Sequence, residues 1–133
     1  MKMFRHKLAG FTLVEIMIVV AIIAMLAAIA VPNFLRARKR SQATRILEDL
    51  RVMDSAIDQY AIENNKAGGV AVNWTDIQSY LKKGSSLYNS GALDLLGNTY
   101  GSAWSVDFVP KVNATSYGKL SDVAPVAFWS PFY

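Results

Sequence analysis

The chain has 133 residues, with 14 Lys and Arg against 10 Asp and Glu, one His and no Cys. Disulfides, thiolate nucleophiles and cysteine zinc ligands are excluded, and the one histidine, His6, lies among Lys2, Arg5 and Lys7 ahead of a long apolar run. Without that leader neither Cys nor His remains, which removes the usual nucleophile, base and transition-metal ligands and argues against an enzyme.

Charge is unevenly placed. Removing residues 1–10 takes away three cations and leaves eleven against ten carboxylates, a net +1, and from Ser41 onward seven cations face nine carboxylates. The folded part is therefore mildly acidic and lacks the clustered basic surface that nucleic acid requires. The length fits one domain, with roughly 70 to 90 residues left to fold in water once the apolar N-terminal third is set aside.

From Phe11 to Val31 the only polar residues are Thr12 and Glu15. A helix of that length spans about 32 Å and crosses a bilayer core. A secretory signal has a shorter apolar region, about 7 to 15 residues, followed by a small-x-small cleavage site. "AIAVP" could serve as such a site, with cleavage near Ala30, although the length of the run and Glu15 within it count against that reading. Three cations precede the run and four follow it (Arg36, Arg38, Lys39 and Arg40), so flanking charge leaves the orientation open. Pro32 closes the run. Its ring and missing N–H remove the hydrogen bond to Ala28 and predict a loosened or kinked helix there.

Helical periodicity continues past the proline. Ala43, Ile46, Leu50, Met53, Ile57 and Tyr60 recur at spacings of three and four and form one apolar stripe. Arg45 with Asp49, and Glu48 with Arg51, lie on its polar flank. "NNKAGG" at 64–69 ends the helix, which would run from about Phe11 to Asn64 and measure roughly 80 Å, too long for a domain of this size to cover. Its first half must be buried by something other than this chain's own core.

"WTDIQSYLKKG" predicts a short helix near 75–83, capped by Thr75 with Gln78 completing a capping box, with Lys82 and Lys83 in its last turn and Gly84 at its end. Trp74, Ile77 and Leu81 would dock it. "AWSVDFV" alternates Trp104, Val106 and Phe108 with Ser105 and Asp107 and predicts a half-buried strand stopped by Pro110. "VAPVAFW" is a second strand candidate, interrupted by Pro125. The expected fold is α+β: a leader at 1–10, a transmembrane or filament-core helix segment at 11–32, an amphipathic continuation at 33–65, and a small globular domain at 66–133 whose antiparallel sheet packs on the helix stripe.

"GFTLVE" supplies a glycine at the end of a basic leader, an aromatic residue after it, and a carboxylate four residues further on at the start of the apolar helix. With Pro32 included, residues 7–34 strongly resemble the N-terminus of type IV pilins and type II secretion pseudopilins. The resemblance implies that a prepilin peptidase cuts between Gly10 and Phe11 on the cytoplasmic side and that Phe11 becomes the methylated N-terminus. Glu15 would then pair with the N-terminal amine of a neighbouring subunit, and Phe11, Glu15 and Pro32 would form the assembly segment. Independently, a carboxylate at membrane depth is costly unless paired, and the apolar run contains no Lys or Arg. An amine made at Phe11 would be the nearest cation, one helical turn below Glu15 on the same face.

"DLLGNTY", Asp94 to Tyr100, resembles the Asp-x-x-Gly-x-x-Tyr turn of major pseudopilins, with Leu96 where that family usually has an aromatic residue. Such pseudopilins often hold calcium near the C-terminus. Here the last 25 residues offer one carboxylate, Asp122, against the six to eight oxygens calcium takes, so no cofactor is expected and Asp122 is only a weak metal candidate. The absence of glycine between Ile16 and Val31, and of cysteine, leans toward a pseudopilin or a minimal pilin. "NAT" at 113–115 matches a glycosylation sequon, and "FWSPFY" is either a contact surface or a tail packed on its own core.

The function this implies is a structural subunit of a pilus-like filament or secretion pseudopilus. It would insert in a bacterial inner membrane with its N-terminus in the cytoplasm and pass to a periplasmic or cell-surface homo-oligomer. Expected partners are the peptidase, an inner-membrane platform with its ATPase, and minor pilins, with no nucleic acid. The alternative is a single-pass membrane-anchored binding protein that does not polymerise.

Overall fold

The computed structural model describes residues 10–101 and 104–133. The chain divides into two compact units, Met1–Arg36 and Ala37–Tyr133, so the division falls inside the first helix and the second unit takes in both its amphipathic half and everything after it. Helix α1 runs from Leu13 to Glu63 and passes through Pro32 without a break.

Within the first unit every described residue is exposed. The segment is apolar on all its faces, and a helix of that kind needs surroundings other than water. In the second unit α1 changes character. Ala43, Ile46, Leu50, Met53 and Ile57 are buried and Tyr60 is half-buried, as the stripe predicts, and Leu47, Ala56 and Ala61 widen the buried face. The helix ends where expected, through a Schellman motif. Asn65 takes the left-handed conformation at φ 48°, Lys66 N–H donates to the Ala61 carbonyl (2.9 Å) and Asn65 N–H to the Ile62 carbonyl (3.3 Å).

The rest of the chain folds onto that stripe. Strand β1 (Ala71–Val72) pairs antiparallel with β2 (Trp104–Ser105), Ala71 opposite Ser105 and Val72 opposite Trp104. Between them lie α2 (Trp74–Ile77), continued by a 3-10 turn at Gln78–Tyr80, and α3 (Ser86–Ser90). After β2 come α4 (Ala114–Leu120) and α5 (Val126–Trp129). Val72, Ile77, Leu81, Leu87, Tyr100, Trp104, Leu120, Trp129 and Phe132 join the α1 stripe in one core. The α+β fold is therefore as expected, with a long helix on a small antiparallel sheet.

Four local expectations are corrected. The 104–108 strand stops after two residues. The chain turns so that Phe108 N–H reaches back to the Ser105 carbonyl (3.3 Å), and Phe108 is 73% exposed where the alternation would have half-buried it. The 123–129 segment is not a strand. Pro125, with φ −68°, caps α5, its carbonyl accepting from Phe128 N–H (2.8 Å), and a proline's fixed φ suits a helix start better than a ladder. The 75–83 helix starts and ends early: Asn73, not Thr75, caps it, with Asp76 Oδ2 accepting from Asn73 N–H (2.8 Å), and Lys82 and Lys83 lie beyond its end. Glu48 and Arg51 form no ion pair among the described residues, whereas Arg45 and Asp49 do (3.5 Å).

Helices α3 and α4 carry no periodic signal in the sequence but are capped. Ser85 Oγ accepts from Tyr88 N–H (3.1 Å) and Asn113 Oδ1 from Thr115 N–H (2.8 Å). Asn113, the sequon residue, also donates through Nδ2 to the Thr99 carbonyl (2.9 Å), so its amide is part of the fold. The aromatic tail packs inward, with Trp129 fully buried, Phe132 nearly so, and Phe132's carbonyl accepting from Val112 N–H (2.7 Å).

Candidate processing and assembly site

The N-terminal segment presents its groups in the open. A Cβ built on Gly10 would meet nothing within 4 Å, and Phe11 is 85% exposed. Peptide bond 10–11 is therefore unobstructed by the rest of the described chain. Thr12 and Glu15 close a reciprocal capping box at the start of α1: Thr12 N–H donates to Glu15 Oε2 (2.8 Å) and Glu15 N–H to Thr12 Oγ1 (3.2 Å). The carboxylate also lies at the positive end of the helix macrodipole.

Glu15 thus has a local partner, which the sequence reading did not name although Thr-x-x-Glu ahead of an apolar run is its signature. It has no ion pair among the described residues. The cap turns the carboxylate back toward the chain start, one residue from the Phe11 nitrogen that cleavage after Gly10 would free. Thr12 and Glu15 are therefore joined at the start of the helix, Gly10 and Phe11 precede that cap outside the helix, and Pro32 lies further along it.

In the second unit the Asp94–Tyr100 segment forms the turn its sequence predicts. Leu93 bridges Thr99, Gly97 takes φ +81°, Asp94 N–H donates to the Asn98 carbonyl (2.8 Å) and Gly97 N–H to the Asp94 carbonyl (3.0 Å). Asp94 is only 6% exposed. Its Oδ1 accepts from Leu96 N–H (2.8 Å) and Asn98 N–H (2.9 Å), and its Oδ2 from the fully buried Ser116 hydroxyl of α4. Asn98 Nδ2 also donates to Ser116 Oγ (2.8 Å). A buried carboxylate needs such donors, and here they join the turn to α4.

Tyr100, at the end of the turn, donates its hydroxyl to Asp49 Oδ2 of α1 (3.1 Å), and Arg45, which also bonds Ser86 of α3, holds the other oxygen. Burial pushes the Asp49 carboxyl above the usual aspartate value, against the Tyr100 hydrogen bond and the Arg45 charge. Burial and then the Asp49 charge push the Tyr100 hydroxyl well above its ordinary range. An open groove of about 820 Å³ runs between α1 and α3, and Asp49 and Asp94 on its wall are both already spent on holding the turn in place. Asp122, the metal candidate, is bound by Lys39 Nζ (2.8 Å), and the described residues contain no group of three or more metal-ligating side chains.

The N-terminal segment is similar in sequence to known proteins. The family described as the prokaryotic N-terminal methylation motif matches residues 5–31. A type IV major fimbrial protein FimA of Dichelobacter nodosus is 32% identical over 134 residues, spanning 91% of this chain and 86% of the relative. The chain belongs to the type IV pilin and pseudopilin family. Another FimA of the same organism is 44% identical over 66 residues, 50% of this chain and 42% of its own length. The type II secretion system core protein G of Aeromonas hydrophila is 31% identical over 64 residues, 48% of this chain and 45% of the relative. In these two alignments this pilin-family chain thus spans less than half of the relatives' length. No solved structure matches the chain significantly.

Proposed function

We propose that the protein is a structural subunit of a type IV pilus-like filament or of a type II secretion pseudopilus. The observation that carries this reading is a methylation motif set on an apolar helix segment of which the chain buries no residue. Such a segment needs lipid first and other subunits afterwards. The subunit inserts in the bacterial inner membrane with its N-terminus in the cytoplasm. A prepilin peptidase cuts between Gly10 and Phe11, and Phe11 is methylated. An inner-membrane platform and its ATPase then draw the chain into a homo-oligomeric filament alongside minor pilins, in the periplasm or at the cell surface.

The part of this chain's own residues is to bind and orient. Glu15 receives the new amine of an adjacent subunit, because an unpaired carboxylate among apolar helices is costly and the segment offers no other cation. The relatives named as fimbrial and secretion-core proteins support the structural role. Mass spectrometry of the mature protein tests it, with a chain starting at N-methyl-Phe11 expected. An intact Met1, or a chain starting after Ala30, would overturn it in favour of a membrane-anchored protein that does not polymerise.

A further inference from the structure

The sequence "VAPVAFW" at 123–129 has no charged residue, and in the fold it is neither strand nor fully buried. Trp129 is sealed in the core with its Nε1 on the Ala124 carbonyl (2.9 Å), which leaves Pro125, Val126 and Ala127 on the surface, Val126 at 45% exposure. Singly exposed apolar residues are ordinary. The cations that hold this turn give it a specific setting. Lys39 pairs with Asp122 (2.8 Å), Arg40 donates to the Val123 carbonyl (3.3 Å), and the Arg40 guanidinium lies 5.7 Å from the Phe128 ring centroid.

Lys39 and Arg40 belong to the basic cluster that follows the apolar run, and Phe34 and Leu35 extend the exposed apolar surface to within four residues of Lys39. Four residues are about 6 Å of helical rise, within a headgroup layer about 5–8 Å thick on each side of a bilayer. A chain inserted through the apolar run therefore keeps Lys39 and Arg40 at headgroup level, together with the turn bonded to them. Exposed Arg38 has no hydrogen-bonding or ionic partner among the described residues and is available to phosphate. Apolar residues flanked by cations are the composition of an interfacial membrane contact.

We propose that the Pro125–Phe128 turn, with Arg38 and Arg40, is the surface by which the folded domain rests on an anionic phospholipid bilayer before the subunit leaves the membrane. This rests on the membrane-inserted reading above. Release of the turn from the bilayer accompanies extraction into the filament.

The chain has no cysteine, so single-cysteine probes are unambiguous. Full-length Val126→Cys, Ile62→Cys and Ile22→Cys variants are labelled with an environment-sensitive fluorophore. They are reconstituted in phosphatidylglycerol and phosphatidylethanolamine vesicles doped with nitroxide at headgroup or mid-chain depth. The Val126 label should be quenched by headgroup nitroxide several-fold more than the label at Ile62, which is 80% exposed on the last turns of α1. Adding Arg38→Gln, or replacing phosphatidylglycerol by phosphatidylcholine, should reduce that quenching. A Val126 label no more quenched than Ile62, with Ile22 quenched at mid-chain depth, overturns the surface and leaves the membrane span standing. A Val126 label shielded only as protein density rises assigns the turn to a second copy and also overturns it. If Ile22 is unquenched as well, the span itself has failed and the proposal falls with it.

Discussion

Replacing Asp94 by alanine removes the acceptor at the centre of the 94–100 turn. The carboxylate takes three hydrogen bonds, from Leu96 N–H, Asn98 N–H and the Ser116 hydroxyl, in a site only 6% exposed. Hydrogen bonds to charged groups contribute about 1.5–3 kcal/mol each, and donors left buried without partners cost about 1–3 kcal/mol each. The three are coupled and partly recover by relaxing toward water, so a net loss of about 3–5 kcal/mol is expected, toward the low end of a simple sum. A unit of this size has a total stability of about 5–15 kcal/mol, so the variant loses a large share of it. At about 4–8 °C per kcal/mol the midpoint should fall by roughly 12–40 °C. Asp94→Asn keeps an acceptor for the two N–H groups but sets an amide against Ser116, and should lose about a third as much. Thermal unfolding of the full chain in detergent, followed by the fluorescence of buried Trp104 and Trp129, reads both variants. An alanine variant whose midpoint stays within about 2 °C of the parent would refute the view that this carboxylate organises the turn.

Asp49 gives a pH dependence of definite sign. Its carboxyl is raised above the ordinary aspartate value by burial, so folding takes up a proton between the unfolded and folded values. Its contribution to stability is complete below the unfolded value, about pH 4, and is lost as pH rises through the folded one. Urea unfolding of the parent against Asp49→Asn across that interval should show the parent gaining on the variant as pH falls, and a flat difference would refute it. At the N-terminus, Glu15→Leu should leave membrane insertion intact and stop filament assembly, read by membrane fractionation and electron microscopy. Thr12→Val removes the hydroxyl half of the cap while keeping the Glu15 charge, and should slow assembly without abolishing it. Filaments at parental levels from Glu15→Leu would disprove the pairing role.

What the sequence revealed depended on how far each signal extends along the chain. The α1 stripe repeats over five turns, and all of its first five residues are buried. The Gly97 turn and the Asn-rich helix end were legible because a left-handed φ admits few residues. The short helices were not. Runs of four to seven residues span fewer than two turns, too few for a periodic pattern to repeat, so α3, α4 and α5 are set by Ser85, Asn113 and Pro125 at their starts and by packing of Leu87, Leu120 and Trp129. The alternation in 104–108 promised a strand, but an alternating pattern says nothing of whether a partner strand continues, and β1 offers only two residues. Asp94's role was invisible because its deepest donor, Ser116, lies 22 residues away.

The same contrast within α1 explains why one helix serves two purposes. Ordered apolar periodicity begins at Ala43, where the chain supplies its own partners in Leu87, Trp104, Leu120 and Trp129. From Phe11 to Val31 periodicity is absent because apolar residues occupy every face, and a stripe is informative only when the opposite side must face water. A helix buried on one face by its own domain can carry Asp49 and Arg45 at the margin of that face and spend them on Tyr100 and Ser86. A helix apolar all round has no such margin. The single carboxylate it keeps must find its donors along its own backbone, as Glu15 does with Thr12, or from another chain. Under the assembly role proposed above, that restriction, more than the charge itself, would direct Glu15 to the amine of a neighbouring subunit.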